Sequence, residues 1–239
     1  MELFLLSNSR THGRAYLEHA AEAIGEFLGG RRLVFVPFAL RDHDGYTATV
    51  AGAMRALGIE VVGAHTADDP RGLVRDAEAV FVGGGNSFRL LSTLQRTGLR
   101  EVIRDRVREG GLRYMGSSAG TNMACPTLRT TNDMPIVRPE SFEALGLVPF
   151  QINPHFLDAD PGSTHMGETR EQRITEFLEE NDVPVLGMRE GAWLRVSAGK
   201  AVLGGTTGAR LFARGAEPRE VAADADVSFL MEAEPRFDV

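Results

Sequence analysis

The sequence predicts an α/β fold, a single-domain, three-layer sandwich whose mostly parallel sheet carries helices on both faces. Short apolar runs alternate with amphipathic stretches through the first half, which is typical of parallel strands buried on both sides. The length of 239 residues suits one domain with a sizeable core. No repeat, low-complexity tract or linker interrupts the sequence, so we treat residues 1–239 as one domain.

The first half supplies most of the predicted sheet. Its apolar runs predict strands at 3–6, 33–38, 59–64 and 79–82, and a fifth strand that ends at Ser118. Helical periodicity predicts helices at 16–28, 47–57, 88–94 and 99–108, with a helix of small residues at 119–124. The flavodoxin-like alternation places the ends of these strands along one edge, where ligands bind in open α/β sheets.

The second half is less regular. We expect polar loops at 125–137 and 157–167, a short strand at 150–152 and a helix at 170–179. Further strands are predicted at 185–188, 193–196 and 201–203, the last two forming a hairpin around Ala198.

Composition narrows the function classes. The net charge of −7 gives no electrostatic case for binding nucleic acid or an anionic membrane. The single cysteine, Cys125, excludes an intramolecular disulfide and a multi-cysteine zinc site, and the absence of a His-Glu-x-x-His pattern disfavours metal hydrolysis. We therefore expect no cofactor and no metal.

The apolar start of the chain is too short for a signal peptide and lacks a basic segment. No run approaches the ~18 apolar residues of a membrane helix. We expect a cytoplasmic protein without membrane contact.

The segment from Tyr114 to Gly120 carries the strongest chemical signal. It ends a predicted strand in Gly-x-Ser-x-Gly and enters a helix directly. On such a turn the serine hydroxyl is exposed, because the glycines leave room for the bend and for a close substrate. Small-residue turns are also common structural features, so Ser118 is a candidate nucleophile whose role depends on partner residues.

A second turn, Gly83-Gly84-Gly85-Asn86, follows the fourth predicted strand. Unobstructed glycine N–H groups at this edge suit a developing oxyanion. The turn is not a phosphate loop, since no Gly-Lys-Ser/Thr follows, and it lacks the dinucleotide-binding spacing. A purely structural turn is the alternative.

His155 comes shortly after the predicted strand at 150–152 and directly after a proline, so we expect it on a stiff loop. There it could accept the Ser118 proton as general base and return it to a leaving amine. His165 in the polar loop could contact a substrate, and that loop could close over the site.

Two carboxylates could orient this histidine. Asp133 lies in a polar turn between the nucleophile and the base, and Glu190 follows a strand end. A turn aspartate is usually self-capping and a strand-end glutamate is usually solvated. The residues alone leave the choice open.

Six stretches, at 6–9, 83–86, 116–120, 125–127 with 130–137, 152–156 and 167–174, together resemble the peptidase E family, the aspartyl dipeptidases among the serine peptidases. With further matches up to Gly205, the resemblance covers most of the chain. Ser117 departs from the family pattern, which has a bulky aromatic residue such as tryptophan there. The extreme C-terminus also matches poorly.

The resemblance implies one peptidase domain with an amidotransferase-like α/β fold, in which serine replaces the cysteine of the glutamine amidotransferases. It implies a serine-type dipeptidase that cleaves Asp-X dipeptides, with Ser118 as nucleophile and His155 as base. Asp133 and Glu190 both match positions described as the third triad member. We favour Glu190, because it follows a strand on the active edge, and Asp133 would then shape the site or hold the substrate α-ammonium.

The same hypothesis assigns the remaining parts of the site. The backbone N–H groups of Gly85 and Ala119 would hold the oxyanion. Arg170 is the first choice for the substrate β-carboxylate, since a guanidinium pairs bidentately with a carboxylate, and Arg173 is the alternative. Asn86 is a further candidate for substrate binding. The expected partner is a small dipeptide substrate. A homodimer is the oligomeric state that we consider.

Three other functions fit parts of the sequence. A cyanophycinase-like hydrolase of Asp-rich polymer would share the serine turn and the glycine turn but need an open groove. An α/β-hydrolase esterase would place its acid and histidine further along the chain than Asp133 and His155. A non-catalytic small-molecule binding protein on the same scaffold is also considered, because fold does not determine function.

Overall fold

The computed structural model describes residues 1–160, 162, 164 and 166–239. Within them, strands β1 to β13 are Glu2–Leu6, Leu33–Val36, Val61–Gly63, Ala79–Val82, Arg113–Ser117, Gln151–Phe156, Asn181–Asp182, Val185–Arg189, Ala192–Ser197, Lys200–Gly205, Ala209–Phe212, Arg219–Val221 and Arg236–Phe237. Helices α1 to α7 are Ala21–Leu28, His43–Arg55, Pro70–Arg75, Ser87–Thr97, Leu99–Arg108, Ala119–Ala124 and Arg170–Glu180.

The main sheet has the strand order β10-β9-β1-β5-β4-β2-β3. The strands from β1 to β5 are parallel, and β9 and β10 extend the sheet in antiparallel fashion beside β1. Alternate residues of β1 enter different buried clusters, Leu3 and Leu5 on one face and Phe4 and Leu6 on the other. The first cluster includes side chains of α3 to α6 and the second includes those of α1 and α2, which confirms the predicted helical layers on both faces.

A smaller sheet, in the order β12-β11-β8-β6, lies beside this sandwich. Ile152 and Leu186 from its strands join the core cluster that contains α4 to α6. Phe156 and Val185 instead pack with α7 in a separate cluster. The sequence analysis predicted β6 and β8 as strands, although the predicted strand at 150–152 is shorter than β6. It missed β11, β12 and the helix α3.

The connection between β8 and β9 joins the two sheets. It consists of Glu190 and Gly191, because β8 ends at Arg189 and β9 begins at Ala192. The Ser7 N–H donates to the Ala192 carbonyl at 3.0 Å, immediately after β1. The ends of β1, β4, β5 and β8 therefore meet at one edge of the molecule.

Several predicted boundaries agree with the structure, among them β4, α5 and α6. His165 and part of the loop 157–167 lie outside the described residues, so the expected closure of that loop stays a prediction. No helix among the described residues has both the length and the apolar character needed to cross a bilayer.

Candidate active site

Ser118 lies at the sharp turn between β5 and α6, with φ 54° and ψ −112°. A positive φ is strained for a residue with a side chain, and such strain is typical of a nucleophile turn. The backbone holds it in place, because the Ser118 N–H donates to the Leu6 carbonyl at 3.1 Å. Gly120 permits the turn, since an added Cβ would collide with the Val82 carbonyl oxygen.

Ser118, His155 and Glu190 form a continuous hydrogen-bonded chain. The distance from Ser118 Oγ to His155 Nε2 is 3.0 Å, and that from His155 Nδ1 to Glu190 Oε1 is 2.7 Å. With the imidazole proton on Nδ1, the ring donates to Glu190 and its Nε2 accepts the hydroxyl proton of Ser118. This is the arrangement of a nucleophile, a general base and a carboxylate that orients the base.

His155 lies within β6, so the expected loop position is wrong. The preceding Pro154 is tolerated there because β6 is the edge strand of the smaller sheet. The pairing of β6 with β8 shifts register between Asn153 and Phe156, which marks a bulge, and His155 has φ 54°. A bulge re-aims a side chain, and here it accompanies an imidazole that points at Ser118.

The two candidate acids have different surroundings. Glu190 contacts His155, whereas Asp133 Oδ2 accepts a hydrogen bond from the Ser87 N–H at 2.7 Å. Ser87 is the first residue of α4, where free N–H groups and the helix dipole favour a negative charge. Asp133 is therefore held in place by the start of α4.

The glycine turn 83–86 lies next to Ser118. Gly85 has φ 136°, and an added Cβ would approach the Ala39 carbonyl oxygen to 2.7 Å. Among the described residues, the N–H groups of Gly85 and Ala119 have no hydrogen-bond acceptor. Gly85 and Ser118 also line one cavity. The two N–H groups predicted to hold an oxyanion thus have no protein acceptor among the described residues, and that role stays a prediction.

Two cavities share Ser118 in their lining. The first, the Arg170 cavity, has a volume of about 220 Å³ and is lined by Asn132 and Arg170 together with Ser118, Asp133 and His155. The second, the Arg10 cavity, has a volume of about 610 Å³ and shares the last three residues. Its other walls come from the loop after β1, the start of α2 and the glycine turn.

Arg170 is partly buried at the first position of α7. Burial, and then the neighbouring charge of Arg173, lowers the pKa of Arg170, while Asp133 opposes that shift. A guanidinium is protonated at any physiological pH, so Arg170 brings a partly desolvated positive charge into the cavity. Such a charge favours an incoming anion.

Two predicted substrate residues are engaged with the protein itself. Arg173 is exposed and pairs with Glu168, with 3.4 Å between Nε and Oε2. Asn86 caps α4, since its Oδ1 accepts from the Arg89 N–H at 3.0 Å. The Asn86 amide nitrogen donates to the Met134 carbonyl at 2.9 Å. Their predicted contacts with substrate stay predictions.

Ser7 and Asn8 support the site, a role that the sequence analysis did not assign. The buried Ser7 hydroxyl accepts from the His155 N–H and donates to the Met188 carbonyl, both at 2.9 Å. Asn8 Oδ1 accepts from the Gly191 N–H at 2.8 Å. The available signal was their position, because they are polar residues directly after an apolar strand at the ligand-binding edge.

Ser117, the departure from the family pattern, is fully buried. Its hydroxyl oxygen has no hydrogen-bond partner within the described part of the chain. The described residues also contain no group of three or more His, Cys, Asp or Glu side chains that could hold a metal ion.

Comparison with known proteins agrees with this geometry. The sequence model of the family described as Peptidase family S51 matches residues 3–204. The chain is 66% identical over 239 residues to "Peptidase E" of Streptomyces coelicolor, covering 100% of this chain and 98% of the relative. It is 50% identical to the "Probable alpha-aspartyl dipeptidase" of Drosophila melanogaster, covering 96% of this chain and 97% of that protein.

The fold has a counterpart among solved structures. A crystal structure of a peptidase from an acI-B1 Actinobacterium aligns with a TM-score of 0.68 at 20% identity, covering 95% of this chain and 96% of the other. Taken with the match over residues 3–204 and the full-length relatives, these findings show that the chain belongs to peptidase family S51 and is a peptidase of the α/β type.

Proposed function

We propose that this peptidase is a serine dipeptidase that hydrolyses Asp-X dipeptides through an acyl-enzyme on Ser118. The observation that carries the proposal is the chain of contacts from Ser118 Oγ through His155 to Glu190, at 3.0 Å and 2.7 Å. The "alpha-aspartyl dipeptidase" name of the Drosophila relative supports the substrate class.

The first half of the reaction is acylation. Ser118 Oγ attacks the peptide carbonyl carbon while His155 Nε2 takes the hydroxyl proton, and Glu190 stabilises the imidazolium that forms. The N–H groups of Gly85 and Ala119 would carry the oxyanion, where loss of one donor typically costs about 10²–10³ in turnover. His155 then gives its proton to the leaving amine as the C–N bond breaks.

The second half is hydrolysis of the ester. His155 takes a proton from a water molecule, whose oxygen attacks the acyl carbon. The bond between that carbon and Ser118 Oγ breaks, and Ser118 recovers its proton from His155. Free aspartate is released, and all groups of the enzyme return to their starting state.

The Arg170 cavity supplies the selectivity for an N-terminal aspartate. Arg170 would pair with the β-carboxylate, and Asp133 would pair with the α-ammonium. These are the two charges of that residue, and both protein groups line one cavity with Ser118. A volume of about 220 Å³ corresponds to roughly seven water molecules of ~30 Å³ each. That is room for one small residue.

A panel of dipeptides that differ only in the first residue tests the proposal. The purified enzyme is assayed with Asp-Leu, Asn-Leu, Glu-Leu and Leu-Leu, and with a multi-Asp-Arg polymer. We expect Asp-Leu to have the highest kcat/KM and the polymer to be a poor substrate. Equal rates on Asp-Leu and Leu-Leu would contradict the Asp-X assignment, and faster turnover of the polymer would favour the cyanophycinase-like alternative.

A further inference from the structure

The Arg10 cavity adjoins the reacting hydroxyl but has a different lining from the cavity described above. Its volume is about 610 Å³, and Arg10, Tyr16 and Asp42 line it in addition to Ser118 and His155. Among its described lining residues, Arg10 is the only arginine or lysine. The proposed Asp-X function leaves this space without an assigned occupant.

The charges of the substrate indicate what that occupant is. A dipeptide with N-terminal aspartate carries an α-ammonium, a β-carboxylate and a C-terminal carboxylate. The Arg170 cavity offers partners for the first two, through Asp133 and Arg170. With the scissile carbonyl at Ser118, the leaving residue must extend beyond that small cavity, and the larger cavity also has Ser118 in its lining.

The Arg10 guanidinium is available to an anion. It lies over the ring of Tyr16, with Cζ 5.3 Å from the ring centroid, and stacking on an aromatic face leaves the guanidinium edges free to donate. Within the described part of the chain, no carboxylate oxygen lies within 4.0 Å of an Arg10 nitrogen. Asp42 and Asp133 are the carboxylates among the described lining residues of the cavity. Asp42 accepts a hydrogen bond from the Gly45 N–H at 2.9 Å.

The backbone of Arg10 is fixed relative to the triad. The side-chain amide of Asn8, a residue only 1% exposed, donates to the Arg10 carbonyl at 2.6 Å. The same amide accepts from the Gly191 N–H at 2.8 Å, next to Glu190. The loop that carries Arg10 is thus tied to the acid of the catalytic chain, so its position is largely set before a substrate binds.

We propose that Arg10 binds the C-terminal carboxylate of the leaving amino acid and thereby selects dipeptides whose second residue ends in a free carboxylate. This assignment rests on the proposed Asp-X function and extends it to the second substrate residue. The Arg10 cavity is then the leaving-group site, with the Tyr16 ring as one of its walls.

Paired substrates that differ only at the C-terminus test the assignment. kcat/KM is measured for Asp-Leu and for Asp-Leu-amide with the wild type, Arg10→Ala, Arg10→Lys and Arg14→Ala. Arg14 is an exposed arginine of the same loop that does not line the cavity, so it controls for general electrostatics. We expect Arg10→Ala to lower the acid-to-amide ratio about tenfold, chiefly through KM for Asp-Leu, as for a lost charge-assisted contact.

Arg10→Lys should retain part of the preference, and Arg14→Ala should keep the wild-type ratio. An unchanged ratio in Arg10→Ala, with both substrates still cleaved, overturns the Arg10 assignment alone. An equal drop in Arg14→Ala overturns it too, because the effect would then reflect net charge. A wild-type enzyme that cleaves neither substrate contradicts the proposed function and this assignment with it.

Discussion

Ser118 and the glycine turn follow strands that are buried on both faces, whereas His155 and Glu190 come from the smaller sheet. β4 and β5 are neighbours within the parallel core, and their ends are fixed by strand pairing and close backbone packing. β6 is an edge strand with a bulge, and Glu190 is exposed beyond the end of β8. The site therefore combines Ser118, held by the packed main sheet, with a proposed base and a proposed acid whose orientation depends on local hydrogen bonds.

The difference shows where the precision of the site comes from. A positive φ at Ser118 is maintained by the packed sheet, but the same φ of 54° at His155 needs support on an edge strand. Ser7 gives that support, because its hydroxyl bridges the His155 N–H and the Met188 carbonyl. Substitutions at single residues separate the contributions of the two regions.

Removal of the nucleophile should have the largest effect. Ser118→Ala should lower kcat on Asp-Leu by roughly 10⁴–10⁶, since the residual rate comes only from binding and the oxyanion donors. Circular dichroism and thermal melting would verify that the variant is folded. Turnover close to that of the wild type would remove Ser118 from the mechanism.

The next largest effects should distinguish the roles of the two carboxylates, Glu190 and Asp133. Glu190→Gln should lower kcat by about 10²–10⁴, because the amide can hold the wrong imidazole tautomer and cannot stabilise the imidazolium. Asp133→Asn should act mainly on KM, since its proposed partner is the substrate ammonium. Single-turnover measurement of acylation distinguishes the two effects. Loss of acylation in Asp133→Asn with normal acylation in Glu190→Gln would reverse the assignment.

Substrate selection should change at Arg170. Arg170→Ala should reduce the preference for Asp-Leu over Leu-Leu by roughly 10²-fold, because a partly buried guanidinium loses its carboxylate partner. Arg173→Ala is the matched comparison, since that side chain is exposed and pairs with Glu168. If Arg173→Ala changes the preference and Arg170→Ala does not, the recognition role belongs to Arg173.

The smallest effect is expected at Ser7, whose side chain connects the two sheets. Ser7→Ala should cost about 1–3 kcal/mol of stability through unpaired buried groups and should lower kcat by about tenfold through misalignment. Thr127→Val is the control, because the Thr127 hydroxyl is also buried and accepts from Gln151 Nε2 at 2.8 Å. A similar loss of stability in both variants with no kcat loss in Ser7→Ala would deny Ser7 a positioning role.

The two regions also differ in how well the sequence predicts them. β4 is wholly apolar and α5 is amphipathic, so local periodicity identified both elements. The smaller sheet depends on tertiary pairing. β12 has two exposed residues of three, and β11 lies next to β8 only through long-range contacts.

The same distinction between local patterns and long-range contacts decides which parts of the site could be predicted from the sequence. Gly-x-Ser-x-Gly and the glycine turn are local patterns that the structure brings together. The bulge at His155 and the Asn8 bridge from Gly191 to Arg10 involve residues far apart in the chain, and no local pattern encodes them. α3 is different, since Asp69 caps it and Pro70 begins it, and these start signals were present in the sequence.

In the proposed mechanism, a base and an acid from the smaller sheet activate Ser118 of the main sheet. Labelling with an aspartyl phosphonate, followed by peptide mass spectrometry, measures this activation of Ser118. We expect one phosphonyl group on Ser118, with a labelling rate that falls by about 10²-fold or more in both His155→Ala and Glu190→Gln. A label on another residue, or wild-type labelling of Ser118 in Glu190→Gln, would contradict it.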